Sequence, residues 1–441
     1  MAASFIEPKI LKGFRDFLPA SEIPRRALIE TIERCFRLYG FVPIDTPALE
    51  YAEILLGKGG GETEKQIYRF KDHGDRDVAL RFDLTVPFAR FIAEHRAGLP
   101  LPFKRYHIAK VWRGENTQRG RYREFTQCDF DIVGSAGAAA DFEILLMIRH
   151  ALTAAGAGDL IIKINHRGLF NRFLDCLGLP DRSAKILRAV DKLGKAGAEE
   201  TRSALSSIAG GSRADEILAF IQNRGSFEET LAEITRASGG ESPESRRLSD
   251  LRAFMVENGI AGSFALDPSI TRGLDYYTGV VYETFLTGLP DIGSVCSGGR
   301  YDNLAGLYSK EAVCGVGSSI GLDRLIAALE ALGKLDARPS YSEAAVACIK
   351  EEDAGRCQVL ARSLRDAGIP CEVFLEKGKL SKQCALAEKK GVKWLIIPGE
   401  SPLEDPLTLR DLERRENREG VSLEEIRRLL RPCSGELTGK A

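Results

Sequence analysis

The segment from Lys104 to Arg123 holds the most concentrated charge in this sequence. It contains seven lysines or arginines and one acid, Glu115, in a chain whose formal net charge is -1. Arg113 directly follows an apolar pair, and polar, glycine-bearing residues come after it, which predicts a hairpin between two strands. An arginine that points inward from a strand needs an anionic partner, because an unpaired buried charge is costly. Since a planar guanidinium matches phosphate geometry, the segment indicates a phosphate site, with a solvated charged hairpin as the alternative.

Three further segments combine arginine with glycine. They are Thr271–Gly279 with Arg272, Tyr276 and Tyr277, Cys296–Asp302 with Tyr301, and Gly321–Leu325 with Arg324. Tyrosine hydroxyls and an arginine can orient a carboxylate and a ring nitrogen, and glycines allow a close approach of the backbone to a ligand. Taken singly, an ordinary turn explains the first segment as well, and a surface arginine explains Arg324 in the last. Together with the basic hairpin, on a mostly antiparallel sheet, they favour a polyphosphate substrate.

Other nucleotide and metal motifs are missing from the sequence. There is no G-x-x-x-x-G-K-[ST], which excludes a P-loop. Glycines 315, 317 and 321 are spaced one residue too widely for the dinucleotide fingerprint. Small residues that pack a helix against a strand explain them at least as well, so a dehydrogenase is only a remote alternative. The ten cysteines and five histidines form no cluster at zinc-ligand spacing. We therefore expect no metal site built from protein ligands alone.

Hydrophobic periodicity predicts the elements that position these segments. A length of 441 residues and a hydrophobic share of 44% predict two or three globular domains. The first is predicted to be α+β, with residues 171–260 as a helical insertion because they lack strand signals. Its other predicted helices are 27–39, 138–155 and 322–332, and its predicted strands are 40–44, 78–82, 104–111, 125–133 and 280–286.

Residues 344–441 form a second predicted unit, after a linker at 331–341. Strands at 344–349, 371–375 and 394–398 alternate with helices at 358–367 and 381–390, which predicts a small α/β domain with a largely parallel sheet. Within it, residues 376–393 contain six lysines against two glutamates. Such a run suits contact with nucleic-acid phosphates, and it suits a solvated helix face about equally well.

The bulk properties limit the environment and the partners. The near-neutral chain has no global basic signature, so any contact with nucleic acid must come from local patches. The N-terminus has no apolar signal segment, and no apolar stretch approaches the roughly 20 residues that span a bilayer. We therefore expect an intracellular, cytoplasmic protein without a membrane partner.

In these segments and over nearly its whole length, the chain resembles the histidine–tRNA ligases of the class II aminoacyl-tRNA synthetases. Residues 8–19 resemble the start of that family, 27–47 resemble motif 1, 113–127 motif 2 and 315–325 motif 3. Segments 272–277 and 297–302 are similar to the two that set histidine-specific members apart. The resemblance implies a class II antiparallel-sheet catalytic domain at 1–335, with the helical insertion at about 171–260. It also implies an α/β anticodon-binding domain at 342–441.

The same resemblance implies an activity and its partners. L-Histidine would be activated by ATP, with Mg²⁺, to histidyl-adenylate and then transferred to the 3′ end of histidine tRNA. The histidine carboxylate would attack the α-phosphorus and pyrophosphate would leave, so no protein nucleophile is needed. Fixed guanidinium groups would stabilise the charge that grows on the phosphate oxygens. The apolar face of the motif 1 helix, within residues 27–47, is expected to contribute to a homodimer interface.

Roles for individual residues also follow from the resemblance. Arg113 and Arg272 would be catalytic, since both would contact the α-phosphate. The ATP site would comprise Arg113, Glu115, Arg121, Phe125 and Arg324, with adenine between Phe125 and Arg324. The histidine site would comprise Asp83, Thr85, Gln127, Asp131, Arg272, Tyr276, Tyr277 and Tyr301. In it, Asp83, Thr85 and Gln127 would hold the amino group, and Asp131 with Tyr277 would read the imidazole. The tRNA would contact Gln118, Lys379 and Lys382.

One loop departs from the family pattern, and two alternatives stay open. Residues 114–118 do not match the bacterial Arg-Pro-Gln form, and Asp83, Thr126 and Asp129 are closer to the eukaryote-like branch, so the acceptor-end feature that this loop reads is left open. The first alternative is a histidine-sensing paralogue, the regulatory subunit of a phosphoribosyltransferase. Such paralogues generally lose the catalytic arginines and the C-terminal domain, and this chain has both. The second is a class II synthetase for another amino acid, which segments 272–277 and 297–302 disfavour.

Overall fold

The fold is taken from a computed structural model of the whole chain. The structure describes residues 5–57, 64, 66–191, 193, 197–222, 225–271, 277–302, 306, 308, 313–399 and 406–430. The chain divides into two compact units, Met1–Arg15 with Glu30–Lys334 and Asp16–Ile29 with Leu335–Ala441. No helix in the described residues is long and apolar enough to cross a membrane.

The first unit is built on strands that form two sheets. In chain order they are β1 Val42–Pro43, β2 Leu49–Tyr51, β3 Arg69–Lys71, β4 Asp77–Leu80, β5 Phe103–Trp112, β6 Glu124–Val133, β7 Leu160–His166, β8 Phe264–Leu266, β9 Val280–Leu286, β10 Cys296–Tyr301 and β11 Gly315–Gly321. Among the described residues, eight strands form the large sheet in the order β1-β5-β6-β11-β10-β9-β7-β8. Its pairings are antiparallel except β1 with β5 and β7 with β8. The mostly antiparallel sheet expected from the sequence is thereby confirmed.

Helices cover this sheet and fill the segment between β7 and β8. They are α1 Pro19–Leu38, α2 Ala52–Leu56, α3 Thr85–His95, α4 Ala138–Ala154, α5 Arg167–Cys176, α6 Ser183–Val190, α7 Ala198–Ala209, α8 Gly211–Ile221, α9 Phe227–Ala237, α10 Pro243–Glu257 and α11 Leu322–Ala331. Helices α5 to α10 confirm the predicted helical insertion. Capping boxes at Ser226 and Ser242 start α9 and α10, where each serine side chain accepts a hydrogen bond from a backbone N–H of the first turn.

The apolar face of α1 lies inside the protomer. Ile32, Cys35 and Phe36 are buried, and the Phe36 ring lies 4.8 Å from that of Phe130 on β6. The sequence-based reason for a homodimer, an apolar α1 face available to a partner, is therefore wrong for these residues. The face is apolar because it seals the core over the large sheet.

The C-terminal unit has a mixed sheet, although the sequence predicted a largely parallel one. Its elements are β12 Ala344–Val346, α12 Ala354–Arg365, β13 Cys371–Val373, α13 Leu380–Lys389, β14 Trp394–Ile397, β15 Leu407–Asp411, β16 Glu416–Val421 and α14 Leu423–Leu430. The order is β13-β12-β14-β15-β16, in which only β13, β12 and β14 are parallel. The missed β15–β16 hairpin has a largely exposed, polar second strand, so it lacks the apolar pattern that reveals a strand.

The two faces of this C-terminal sheet carry different helices. Cys357, Leu360 and Leu364 of α12 pack with Ala344 and Val346 of β12. Cys384 and Ala387 of α13, in contrast, pack with Ala345, the β12 residue between those two. Because neighbouring side chains of a strand point to opposite faces, α12 and α13 lie on opposite sides of the sheet.

Candidate active site

A cavity of about 140 Å³ opens where the β5–β6 hairpin meets the start of α11. Its wall contains Arg113, Glu115, Gly120, Arg121, Tyr122, Phe125, Gln127, Ser294, Val295, Cys296, Ser297, Ser319, Gly321, Asp323 and Arg324. All five residues assigned to the ATP site are in this set. Three of them are arginines, which together with the ring of Phe125 give the cavity both cations and an aromatic surface. Such a combination suits a ligand with phosphates and a flat base.

Arg113 is held where the hairpin leaves β5. Its Nε donates to the carbonyl of Phe82 at 2.8 Å, and its guanidinium lies 5.1 Å from the centre of the Phe125 ring. The backbone N–H of Arg113 donates to Arg123 O at 2.9 Å, which closes the two arms of the hairpin. Phe82 directly precedes Asp83 in the chain. Arg113 is therefore fixed beside both the cavity and the segment that carries Asp83.

The start of α11 closes the opposite side of the cavity. Asp323 accepts from the backbone N–H of Thr126 at 2.7 Å and pairs with Arg15, which ties α11 to β6 and to the N-terminal segment. Arg324 donates to the carbonyl of Ser294. Gly120, at φ +69°, lies against Arg324, so the hairpin passes directly over the helix start. These contacts orient both walls before any ligand arrives.

Beyond the cavity, the large sheet carries a row of buried polar groups on one face. Phe125, Gln127, Asp129 and Asp131 are alternate residues of β6 and share that face. Asp131 is almost fully buried: its Oδ2 pairs with Arg105 Nη2 at 2.6 Å, and its Oδ1 accepts from the Tyr301 hydroxyl at 2.6 Å. Burial raises the pKa of Asp131, and the Arg105 charge opposes that rise. Two contacts therefore fix the orientation of the Asp131 carboxylate. We call this polar face of β6 the floor of the site.

Asp83 sits at the edge of the same floor, at the start of α3. Its Oδ1 accepts from the backbone N–H of Val86 at 3.0 Å, while its buried Oδ2 has no hydrogen-bond partner among the described residues. Burial raises the pKa of Asp83 to about 6, against smaller opposing effects from hydrogen bonding and from the charges of Arg113 and Arg105. One oxygen thus anchors the helix and the other is available to a donor.

Glycines on β11 make room in front of Asp131. Gly317 is the cross-strand partner of Asp131, and a Cβ built on it would collide with Asp131 Oδ1. A Cβ on Gly315 would likewise collide with the Tyr301 ring. These glycines have ordinary strand backbones, so the requirement is for space and not for a left-handed conformation. The sequence had offered helix packing as an explanation of these glycines, and the structure places them opposite the Asp131 carboxylate.

The remaining predicted residues fall in different places. Thr85 is the first residue of α3, two positions after Asp83, and the Tyr277 ring lies beside Gly299 on β10. Gln118 is exposed in the hairpin, where its backbone pairs with that of Arg121. Arg272 and Tyr276 lie outside the described residues. Lys379 and Lys382 are exposed on the C-terminal unit, whereas the other described site residues belong to the first unit.

Comparisons with known proteins identify the class and then the family. An antiparallel sheet that presents arginines and a phenylalanine to one cavity, with a helix starting at its rim, is the arrangement expected of a class II aminoacyl-tRNA synthetase. The family model for histidyl-tRNA synthetase matches residues 13–325, and that for the anticodon binding domain matches residues 343–431. The chain belongs to the histidyl-tRNA synthetase family.

Individual relatives agree with that assignment. The chain is 50% identical to histidine–tRNA ligase of Treponema denticola, across 97% of this chain and 99% of the relative, and 48% identical to that of Rhodopirellula baltica, across 89% and 90%. Among solved structures, histidyl-tRNA synthetase from Nostoc sp. superposes with a TM-score of 0.85 at 32% identity, covering 97% of this chain and 100% of the other.

Several residues of the site were not singled out by sequence reasoning. Arg105 was counted only as part of the basic segment, yet it is fully buried beneath the site, with its guanidinium 4.1 Å from the Phe88 ring centre. Asp129, Ser319 and Asp323 were likewise given no role. A usable signal existed for Asp129, since it falls in the same alternation as Gln127 and Asp131. No local pattern marks Arg105, because its partner lies on another strand.

Proposed function

We propose that this protein activates L-histidine with ATP and transfers it to the 3′ end of histidine tRNA. The observation that carries the proposal is the single cavity that collects Arg113, Phe125 and Arg324 next to the carboxylates of β6. The curated relatives named above are histidine–tRNA ligases, and the chain is aligned with them nearly end to end. As a participant in protein synthesis it would act in the cytoplasm.

In this proposal, each half of the site has a chemical task. Adenine stacks on Phe125 with Arg324 on its other side, Glu115 and Arg121 contribute to ATP binding, and Arg113 contacts the α-phosphate. The histidine carboxylate attacks the α-phosphorus, and negative charge grows on the phosphate oxygens as pyrophosphate leaves. A guanidinium fixed before the reaction stabilises that charge without reorganising. Arg272 is proposed to act with Arg113, and no protein nucleophile takes part.

Histidine itself is proposed to bind over the polar floor. Asp83, Thr85 and Gln127 hold its ammonium group, and Asp131 with Tyr277 reads the imidazole, assisted by Tyr276 and Tyr301. An ionised acid opposite the ring favours imidazole over apolar side chains, because a ligand that lacks ring nitrogens would leave the carboxylate unpaired. The Arg105 and Tyr301 contacts would keep Asp131 in one orientation for this task.

Magnesium is proposed to arrive with the phosphates of ATP. The described residues contain no group of three or more His, Cys, Asp or Glu side chains that could hold a metal ion. In the cavity wall, Asp323 is already committed to Arg15 and Thr126, which leaves Glu115 as the acid that could supply an oxygen ligand. Mg²⁺ takes oxygen ligands and often uses one or two carboxylates plus substrate phosphates, which this donor set fits. When bound, the ion would offset phosphate charge.

Pyrophosphate exchange with ATP tests the activity directly. Exchange run across all twenty amino acids should depend on histidine and on magnesium and should not require tRNA. The histidine-sensing regulatory paralogue has no such activity, so an absence of histidine-dependent exchange would favour that alternative. Comparable exchange with a different amino acid would instead indicate a synthetase of other specificity.

Residues 342–441 are proposed to bind the anticodon end of the tRNA, and residues 1–335 to form the catalytic domain. Of the six lysines at 376–393, three are neutralised by ion pairs: Lys377 with Glu351 at 2.6 Å, Lys390 with Glu372 at 2.6 Å, and Lys393 with Glu413 at 3.6 Å. The other three, Lys379, Lys382 and Lys389, have no ion pair among the described residues and are exposed. They are therefore the lysines of this run best able to contact phosphate.

Charge reversal tests this assignment with a matched control. Lys382→Glu should weaken tRNA binding several-fold and lower the slope of log affinity against log salt by about 1, because one phosphate contact is lost. Arg362→Glu, at an exposed position of α12 on the other side of the sheet, should change tRNA affinity little. Point substitutions are preferable to deleting the domain, since residues 16–29 group with it. Equal effects of the two reversals would contradict the assignment.

A homodimer is also proposed, on a surface other than the buried face of α1. Val42, Leu49, Tyr51 and Phe70 on β1 to β3 and Leu38 at the end of α1 are between 39% and 70% exposed. Clustered apolar residues at strand edges commonly mark an interface between chains. Light scattering at micromolar concentration should report a dimer, and a stable monomer would refute the proposal.

A further inference from the structure

Three oxygen atoms on the floor of the site are buried and lack a hydrogen-bond donor. They are Asp83 Oδ2, Gln127 Oε1 and Asp129 Oδ1, and none has a hydrogen-bond partner among the described residues. Asp83 is 2%, Gln127 8% and Asp129 1% exposed. Buried polar atoms are nearly always hydrogen-bonded in folded proteins. Three unsatisfied acceptors of this kind therefore indicate a ligand that donates hydrogen bonds.

A chain of hydrogen bonds orients two of these acceptors. The amide Nε2 of Gln127 donates to the hydroxyl of Ser319 at 2.8 Å, and Ser319 in turn hydrogen-bonds the Asp129 carboxylate. Ser319 lies directly across from Asp129 in the pairing of β11 with β6. Because the amide nitrogen of Gln127 is engaged, its oxygen is the atom left for a ligand. Asp129 likewise keeps Oδ1 after bonding Ser319.

The charges around Asp129 favour a cation. The negative charges of Asp131 and Asp83 act on Asp129, and so do the positive charges of Arg105 and Arg81. His107 is its cross-strand partner on β5. Arg105 is already paired with Asp131 at 2.6 Å. Burial raises the pKa of Asp129 to about 7, and the positive charge of Arg105 is the largest effect that opposes this rise. Arg105 is thus committed to Asp131, while Asp129 Oδ1 has no hydrogen-bond donor among the described residues, so a cationic donor would complete its contacts.

We propose that Asp129 binds the α-ammonium group of histidine directly, as a second carboxylate beside Asp83 and with Gln127 as the third acceptor. The inference rests on the proposed function and extends it, since that function assigned the ammonium to Asp83, Thr85 and Gln127 only. A primary ammonium has three N–H donors and no acceptor, which matches one amide oxygen and two carboxylate oxygens, all of them acceptors when the carboxyl groups are ionised. Asp131 has both oxygens engaged by Arg105 and Tyr301, so it is less suited to this role.

A pair of ligands that differ only in the ammonium group tests the assignment. L-Histidine and 3-(imidazol-4-yl)propionate share the ring and the carboxylate, and only histidine has the amine. In Asp129→Asn, the dissociation constant of histidine should rise by roughly 10- to 100-fold, as expected when a charge-assisted hydrogen bond is lost. That of the propionate should stay within about threefold, since its bound form does not use Asp129. Calorimetric titration of each purified variant measures both.

Controls separate binding from folding. Asp411→Asn removes another buried carboxylate, which accepts backbone hydrogen bonds in a turn of the C-terminal unit, and it should leave both dissociation constants unchanged. If Asp129→Asn does not fold, Ser319→Ala removes the hydroxyl that orients both acceptors and should weaken histidine selectively. Equal weakening of the two ligands, or unchanged histidine binding, would overturn the inference. Wild-type protein that neither binds histidine nor exchanges pyrophosphate would overturn the proposed function instead.

Discussion

Arg113→Ala is expected to lower the rate of histidine-dependent pyrophosphate exchange by about 100-fold or more. Removal of one fixed donor from a site that stabilises developing oxyanion charge typically has an effect of this size. Arg113 is held by its bond to Phe82 O at 2.8 Å and lies over Phe125, so its guanidinium is positioned before substrates bind. Most of the loss should appear in kcat, because the charge that it stabilises grows only in the transition state.

Two companion variants make the Arg113 result interpretable. Arg113→Lys should recover little activity, since an ammonium cannot reproduce the two-point planar contact of a guanidinium. Arg119→Ala removes an exposed arginine from the same hairpin that does not line the cavity, and it should retain near-normal exchange. Thermal melting of all three should be close to that of the wild type. If Arg113→Ala kept near-normal exchange, its assignment to the α-phosphate would be wrong.

Gly317→Ala is expected to reduce kcat/KM for histidine on the order of 100-fold, because displacement of a binding group by about 1 Å commonly has that effect. The added methyl group would collide with Asp131 Oδ1. Asp131 cannot move freely, since Arg105 and the Tyr301 hydroxyl each hold one of its oxygens at 2.6 Å. Gly317 cannot move freely either, because its carbonyl accepts from Tyr282 Oη at 2.7 Å. Overpacking of this kind should also lower the free energy of unfolding by about 1–3 kcal/mol.

A glycine in open surroundings provides the control for this variant. Gly262, in the turn before β8, has nothing within 4 Å of a built Cβ and no left-handed φ. Gly262→Ala should leave histidine kinetics unchanged. Steady-state exchange at varied histidine concentration compares the two, and unchanged kinetics in Gly317→Ala would show that the space opposite Asp131 is not used by substrate.

Sequence patterns were sufficient wherever the burial of an element follows a regular period. The alternation at 125–133 predicted β6, and its observed bounds are Glu124–Val133. The helical pattern at 138–155 predicted α4, observed at Ala138–Ala154. Two strands could not be predicted in this way, because β10 is rich in glycine and β16 is almost entirely exposed. Both lack the apolar periodicity that predicts a strand.

The motifs of the sequence by themselves determined the family, the proposed chemistry and the residues that were expected at the ATP site. They could do so because those residues lie within contiguous segments, where type and spacing are legible. Only the tertiary structure decided that the apolar face of α1 is covered within the protomer, that Arg105 pairs with Asp131, and that three acceptors of the floor lack donors. Each of these depends on strands and helices that are distant in sequence. Cross-strand register and burial arise when the sheet assembles, so no local spacing encodes them.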